Sequence, residues 1–129
     1  MLYQECAPGA ERSVMYSFLG VFVGGGLGAV LRWLTGRAVS GHWGVFIVNV
    51  LGAFFIGLAY AYFARRAAGP ELKLFIMTGC LGGFTTFSTY LLDFAQLTAA
   101  GKQGEAFFYL VLSVLAGLAA LWAGMKCLG

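Results

Sequence analysis

Charged side chains along this chain fall in short intervals, and four long stretches between them carry none: residues 13–31, 38–64, 74–92 and 106–125. A bilayer core about 30 Å thick takes about 20 residues of helix at about 1.5 Å rise each. Each stretch therefore predicts one membrane-spanning helix, and four use roughly 80 residues, which leaves only short loops and tails. The expectation is an all-α membrane protein. Its helices cover about 14–35, 43–63, 71–98 and 105–125, in a single transmembrane domain over residues 1–129.

Polar and small residues inside these helices carry most of the remaining information. In the first, Gly20, Gly24 and Gly28 recur every four residues on a ridge that ends at Arg32, a spacing that lets two helix backbones approach closely in lipid. In the second, Asn49 is the only strongly polar mid-span side chain, with Gly52, Ala53, Ile56 and Tyr60 on its face. Lipid offers an amide no partner, so interhelical bonding and a ligand role in a permeation path are both open. In the fourth, Ser113, Gly117, Ala120 and Gly124 form a small-residue face, with Tyr109 one turn before Ser113.

The third helix is the irregular one. Gly79, Gly82 and Gly83 sit near mid-membrane, followed by Thr85, Thr86, Ser88 and Thr89. Glycine weakens a helix by about 1 kcal/mol relative to alanine, and a Gly-Gly pair before a hydroxyl run predicts a broken helix. Non-helical backbone at membrane depth survives where it is buried in protein or lines a cavity, and there freed carbonyls can hold a cation while freed amides face an anion. A kink without a ligand is the plainer alternative. Past the break, Phe84, Phe87, Tyr90 and Phe94 read as one stripe, and Thr86, Thr89 and Asp93 as a second. Asp93 is the one carboxylate in the apolar part of the chain, to be paired with Arg32 or wetted at the interface.

Composition agrees with lipid as the solvent. Charged residues make up 10% and hydrophobic ones 60%, against about 25% charged in soluble domains. The net charge of +3 and the absence of a basic run give no reason to expect nucleic acid. Cys6, Cys80 and Cys127 are odd in number and widely spaced, so neither a zinc site nor a disulfide framework is indicated. The leader carries Glu5 and Glu11 and lacks the basic start of a secretory signal. With a cytoplasmic N-terminus, Arg12, Arg65, Arg66, Lys73 and Lys126 lie inside and Arg32, Arg37 and Lys102 outside. That bias is weak, and a chain with weak bias can insert both ways and pair antiparallel.

No catalytic set is visible, so no enzyme is expected. His42 is the only histidine and has no second acid or base near it in the sequence, and there is no nucleophile elbow, P-loop or HExxH motif. A small four-helix multidrug-type exporter needs a membrane-embedded acid, and the apolar first span has none. A structural membrane protein has no need of a Gly-Gly break beside Thr-Thr-Phe. One broken helix, one buried amide and many hydroxyls suit a narrow polar pore.

The run Gly82-Gly-Phe-Thr-Thr-Phe-Ser-Thr-Tyr90, with Val48-Asn-Val-Leu-Gly52 and Leu31-Arg-Trp33, resembles the bacterial fluoride channel family (Fluc, also called CrcB) over nearly the whole chain. The resemblance implies a fluoride-selective channel of the bacterial inner membrane, built as an antiparallel dual-topology homodimer with two pores. It places Asn49, Phe87, Thr86, Thr89, Tyr109 and Ser113 in the pore, with Tyr90 where the family's second pore phenylalanine stands. It assigns a structural sodium ion at the dimer axis to the main-chain carbonyls of Gly82 and Thr85. Arg32 and Asp93 fall in the vestibule. Asp93 stands for a more usual Glu, and Val45 and Gly117 for Thr and Ser of some members. Heterodimers with incomplete subunits also occur in the family, and a non-conducting subunit of one is a second form open to this chain.

Overall fold

The computed structural model describes residues 11–128. The leader with Glu5 and Cys6 lies outside the described residues. Among them every regular element is helical: α1 (Glu11–Ala38), α2 (His42–Arg65), a third span (Pro70–Ala99) in several pieces, and α6 (Gln103–Leu128). The third span runs as α3 (Pro70–Lys73), a π-helical stretch (Leu74–Leu81), α4 (Gly82–Phe84) and, past a break, α5 (Ser88–Ala99). The four spans are long and apolar enough to cross a membrane, and their ends extend past the expected ones by less than a turn. Pro70 opens α3, where its missing N–H costs nothing. Gly41 before α2 and Gly101 between α5 and α6 take positive φ values of 79° and 80°, which lets the chain reverse within a few residues.

Two joints of the bundle are built on glycine. The first is backbone against backbone. A Cβ on Gly24 would stand 2.6 Å from Phe75 O and 3.1 Å from Gly79 Cα, and one on Gly28 would overlap Cys80 O and come 2.7 Å from Phe84 N. Gly83 answers from the other side, its missing Cβ 2.5 Å from Gly25 O. The glycine ridge of α1 thus seats the π-helical stretch and α4, with close dispersion contact in place of side chains. The second joint pairs α2 with α6, where Gly57 leaves room for Leu121 O and Gly124 for Phe54 O. The small-residue face expected on α6 is therefore split: Gly124 is in the joint, whereas Gly117 has nothing within 4 Å.

The Gly-Gly pair is not where the helix breaks. Gly82 and Gly83 are helical, and Thr85 leaves the helix at φ −84°, ψ 157°, with residues 85–87 non-helical. The glycines serve close approach to α1, and the opening falls in the threonine run, where side chains can bond backbone groups in place of the helix. The break separates Phe84 from Phe87, so the four aromatics do not form one helical stripe. Phe22, Trp33, Leu115 and Trp122 are among many large apolar side chains left outward, as a lipid-facing surface requires.

Candidate functional site: the break in the third span and the aromatic chain behind it

A helix that stops inside a membrane leaves orphan donors and acceptors that need partners. Asn49 supplies two. Its Oδ1 accepts from the Thr86 N–H at 2.8 Å, and its Nδ2 donates to the Thr86 carbonyl at 3.0 Å. Both ends of one amide are used on one residue, so Asn49 straps the break to α2. One turn on, Gly52 makes room for the Thr85 methyl group. The Asn-x-x-Gly spacing thus places a strap and a socket on the same side of α2. Of the two readings open for Asn49, interhelical bonding is what the geometry gives, and one Nδ2 proton is left over.

Other groups at the break find partners close by. Thr85 Oγ1 donates to Leu81 O at 3.1 Å. Thr86 Oγ1 accepts from the Thr89 N–H at 3.3 Å, a cap for the first turn of α5, and donates to Thr89 Oγ1 at 3.2 Å. The Thr89 hydroxyl proton is thereby free to donate onward. Arg32 Nε donates to Gly83 O at 3.1 Å. The Arg32–Asp93 pair expected as one option is therefore not formed; a carbonyl orphaned by the break takes the guanidinium instead. No backbone N–H reaches the carbonyl oxygens of Gly82 or Thr85 among the described residues.

Behind the break runs a chain of rings. Phe87 is 70% exposed and stands with its centroid 6.0 Å from Tyr90. Tyr90 is buried, 5.4 Å from Tyr109, which is fully buried. Tyr109 meets His42 edge-on at 4.9 Å, and His42 meets Trp43 at 4.9 Å. The Tyr90 hydroxyl donates to the Leu110 carbonyl of α6. Tyr109 donates to Asp93 Oδ2 at 3.1 Å, and Asp93 borders an open cleft with Gly41, His42, Gln96 and Lys102. Ser113, one turn past Tyr109, is 9% exposed and its Oγ has no hydrogen-bond partner among the described residues.

One chain brings together Asn49, Thr86 and Thr89 at the break, and Tyr90, Tyr109 and Asp93 between α5 and α6. It does not close a pore around them, because Phe87 faces outward while Tyr109 and Ser113 are buried. Sequence reasoning missed the partner of His42: Glu105, at the start of α6, stands with Oε1 3.3 Å from His42 Nε2. No local signal could have found it, since the two meet only when α2 and α6 pair.

A family model described as CrcB-like protein, Camphor Resistance (CrcB), matches residues 19–125. Proteins named fluoride-specific ion channel FluC are similar over most of their length. The one from Mesorhizobium japonicum is 44% identical over 86% of this chain and 94% of its own. That from Bacteroides fragilis is 40% identical over 85% and 94%, and that from Azotobacter vinelandii 42% identical over 83% and 92%. With its glycine joint, its strapped break and these matches across more than 100 residues, the chain belongs to the CrcB family.

Proposed function

We propose that this chain is a fluoride-selective channel of the bacterial cytoplasmic membrane, a passive exit path and not an enzyme. The relatives carry that name, and the observation that carries the reading for this chain is the strapped break. The break leaves one Asn49 Nδ2 proton, the Thr89 hydroxyl and, behind it, the Ser113 hydroxyl as unspent donors. Fluoride is small and strongly hydrated, so a path must replace its water with donors. The edge of the exposed Phe87 ring is positive and can face an anion. The nearest full positive charge, Arg32, is engaged with the Gly83 carbonyl, so the anion meets donors it can also leave.

An antiparallel homodimer completes the path in this reading. The place of Phe87 supports it: the ring stands 70% exposed beside the break and its unspent donors, where a second copy can close the path over it. The same pairing would bring the carbonyls of Gly82 and Thr85 from two chains together. Neither carbonyl receives a backbone N–H, and hard main-chain oxygens of this kind suit an alkali cation. The residues fit a structural sodium ion, which would neutralise the clustered carbonyl dipoles and would not move with fluoride. Dimer stability that is the same in sodium and in a bulky organic cation would count against it.

The channel reading is tested in liposomes loaded with potassium fluoride or potassium chloride, with a potassium ionophore to carry the balancing charge. The protein should empty fluoride within seconds and retain chloride. No fluoride release above protein-free liposomes would refute it, and potassium-coupled release of both halides would replace it with an unselective pore.

A further inference from the structure

The end of the bundle where α1 begins and α2 and α6 finish repeats one arrangement three times. An exposed aromatic ring lies four residues further into the membrane than an exposed cation: Tyr16 with Arg12, Tyr62 with Arg66, and Trp122 with Lys126. Four residues of helix are about 6 Å. A ring level with the boundary between acyl chains and headgroups therefore sets its cation among the lipid phosphates. The Arg66 guanidinium carbon stands 5.6 Å from the Tyr62 ring centroid. Stacking occupies the face of the guanidinium and leaves its N–H edge open, the edge that matches phosphate oxygens.

Helix dipoles do not explain the pattern. Arg65 and Lys126 lie in the last turns of α2 and α6, where a cation is favoured. Arg12, however, is in the first turn of α1, where a cation is disfavoured. Arg66 lies past the end of α2 in extended backbone. A signal for orientation alone would need the charges but not the rings in step with them. The carboxylates do not absorb the charge either. Arg12, Arg65, Arg66, Lys73 and Lys126 share this end with Glu11 and Glu71, and none of these cations is in an ion pair among the described residues. Glu71 instead accepts from Ser13 Oγ at 2.7 Å. At the opposite end Arg37, stacked on Trp33, and Lys102 share the surface with Asp93 and Glu105.

We propose that the end of the bundle where α1 begins is a docking surface for anionic phospholipid. Arg12, Arg66 and Lys126 hold the headgroup phosphates, while Tyr16, Tyr62 and Trp122 pack against the glycerol and upper acyl region. A zwitterionic lipid offers the same phosphate but brings its own ammonium, which the surplus of cations repels. An anionic lipid brings none, and the charge complementarity selects it. The proposal does not depend on what the chain conducts.

The test is quenching of tryptophan by brominated lipid in the full chain, reconstituted in phosphatidylcholine vesicles. A small share of either brominated phosphatidylglycerol or brominated phosphatidylcholine is added. Trp33→Phe leaves Trp122 to report on this end, and Trp122→Phe leaves Trp33 to report on the other, with the half-buried Trp43 common to both. Beside Trp122, phosphatidylglycerol should exceed its bulk share by about fivefold or more, the worth of one basic side chain at an anionic surface. The excess should be smaller beside Trp33 and should shrink as salt is raised. Arg66→Gln combined with Lys126→Gln keeps the rings, changes only exposed side chains, and should reduce the excess beside Trp122 to that of phosphatidylcholine. Tyr62→Leu keeps every charge and should lose part of it. Equal quenching by the two brominated lipids beside Trp122, or an excess that persists in the double variant, overturns the proposal. An excess abolished by inorganic phosphate at constant ionic strength also overturns it and assigns the surface to a soluble anion. An excess unchanged in Tyr62→Leu overturns the pairing of ring and cation.

Discussion

The two limbs of the third span are fastened by opposite means. The N-terminal limb, α3 to α4, is seated mainly on main chain: Gly24 and Gly28 of α1 meet Gly79, Cys80 and Phe84 backbone to backbone, and Gly25 meets Gly83. The C-terminal limb, α5, is fastened through rings and hydroxyls, with Tyr90, Phe94 and Leu97 against Ala106, Tyr109 and Leu110 of α6. Glycine contacts admit almost no variation, because the neighbour is main chain and cannot move aside. Ring contacts tolerate exchange of a polar handle so long as the ring remains. The break lies between the two, held by the Asn49 strap. A rigid limb and an adjustable limb, joined at a strapped gap, keep donors fixed at the break while the side chains behind it can differ among relatives.

The largest effect should come from the glycine limb. Gly28→Ala puts a carbon against Cys80 O and 2.7 Å from Phe84 N. Overpacking against main chain should cost about 3 kcal/mol, the upper end of the usual range. Loss of monodisperse protein on heating and gel filtration is the readout. Gly26→Ala is the control, because it has nothing within 4 Å and gains helix propensity of up to about 1 kcal/mol. Equal thermal behaviour of the two variants would break the comparison, since it would mean that α1 does not sit tightly on α4.

The strap comes next. Asn49→Ala removes two hydrogen bonds and strands the Thr86 N–H and carbonyl, at about 1–3 kcal/mol for each unsatisfied group. Asn49→Asp can still accept from the Thr86 N–H but sets an acceptor against the Thr86 carbonyl, so it should also lose stability as well as fluoride flux. Wild-type melting together with wild-type flux in Asn49→Asp would show that the strap does not matter.

The adjustable limb should respond least. Tyr90→Phe removes the bond to the Leu110 carbonyl, worth about 0.5–1.5 kcal/mol net, and should conduct with fluoride selectivity intact. Tyr90→Ile removes the ring between Phe87 and Tyr109 and should lose most conduction, since an aliphatic side chain has no positive edge. Equal flux through the two variants would reduce Tyr90 to packing.

Much of this was legible in the sequence, and the failures have physical causes. Glycines every four residues on α1 announced a close joint, and the joint is there because lipid leaves helices little else to associate by. The Gly-Gly pair announced a break but marked the place beside it. Low helix propensity says a segment can open, and here α1 holds Gly82 and Gly83 in helix while the threonines, which carry their own hydrogen-bonding groups, take the opening. Asn49 was visible as an amide that must be paired, but its partner, the main chain of Thr86, belongs to an irregular segment that no periodicity describes. The Tyr90–Leu110 and His42–Glu105 contacts depend on which faces of α5, α2 and α6 turn together, and tertiary packing alone sets that.

The central claim is that donors at the strapped break select fluoride. It is tested most directly by the reversal potential of the wild-type protein in a planar bilayer with fluoride on one side and chloride on the other. The potential should be set by fluoride alone, far from zero and shifting with the fluoride concentration but not with chloride. A potential near zero, or one that follows chloride, would contradict it.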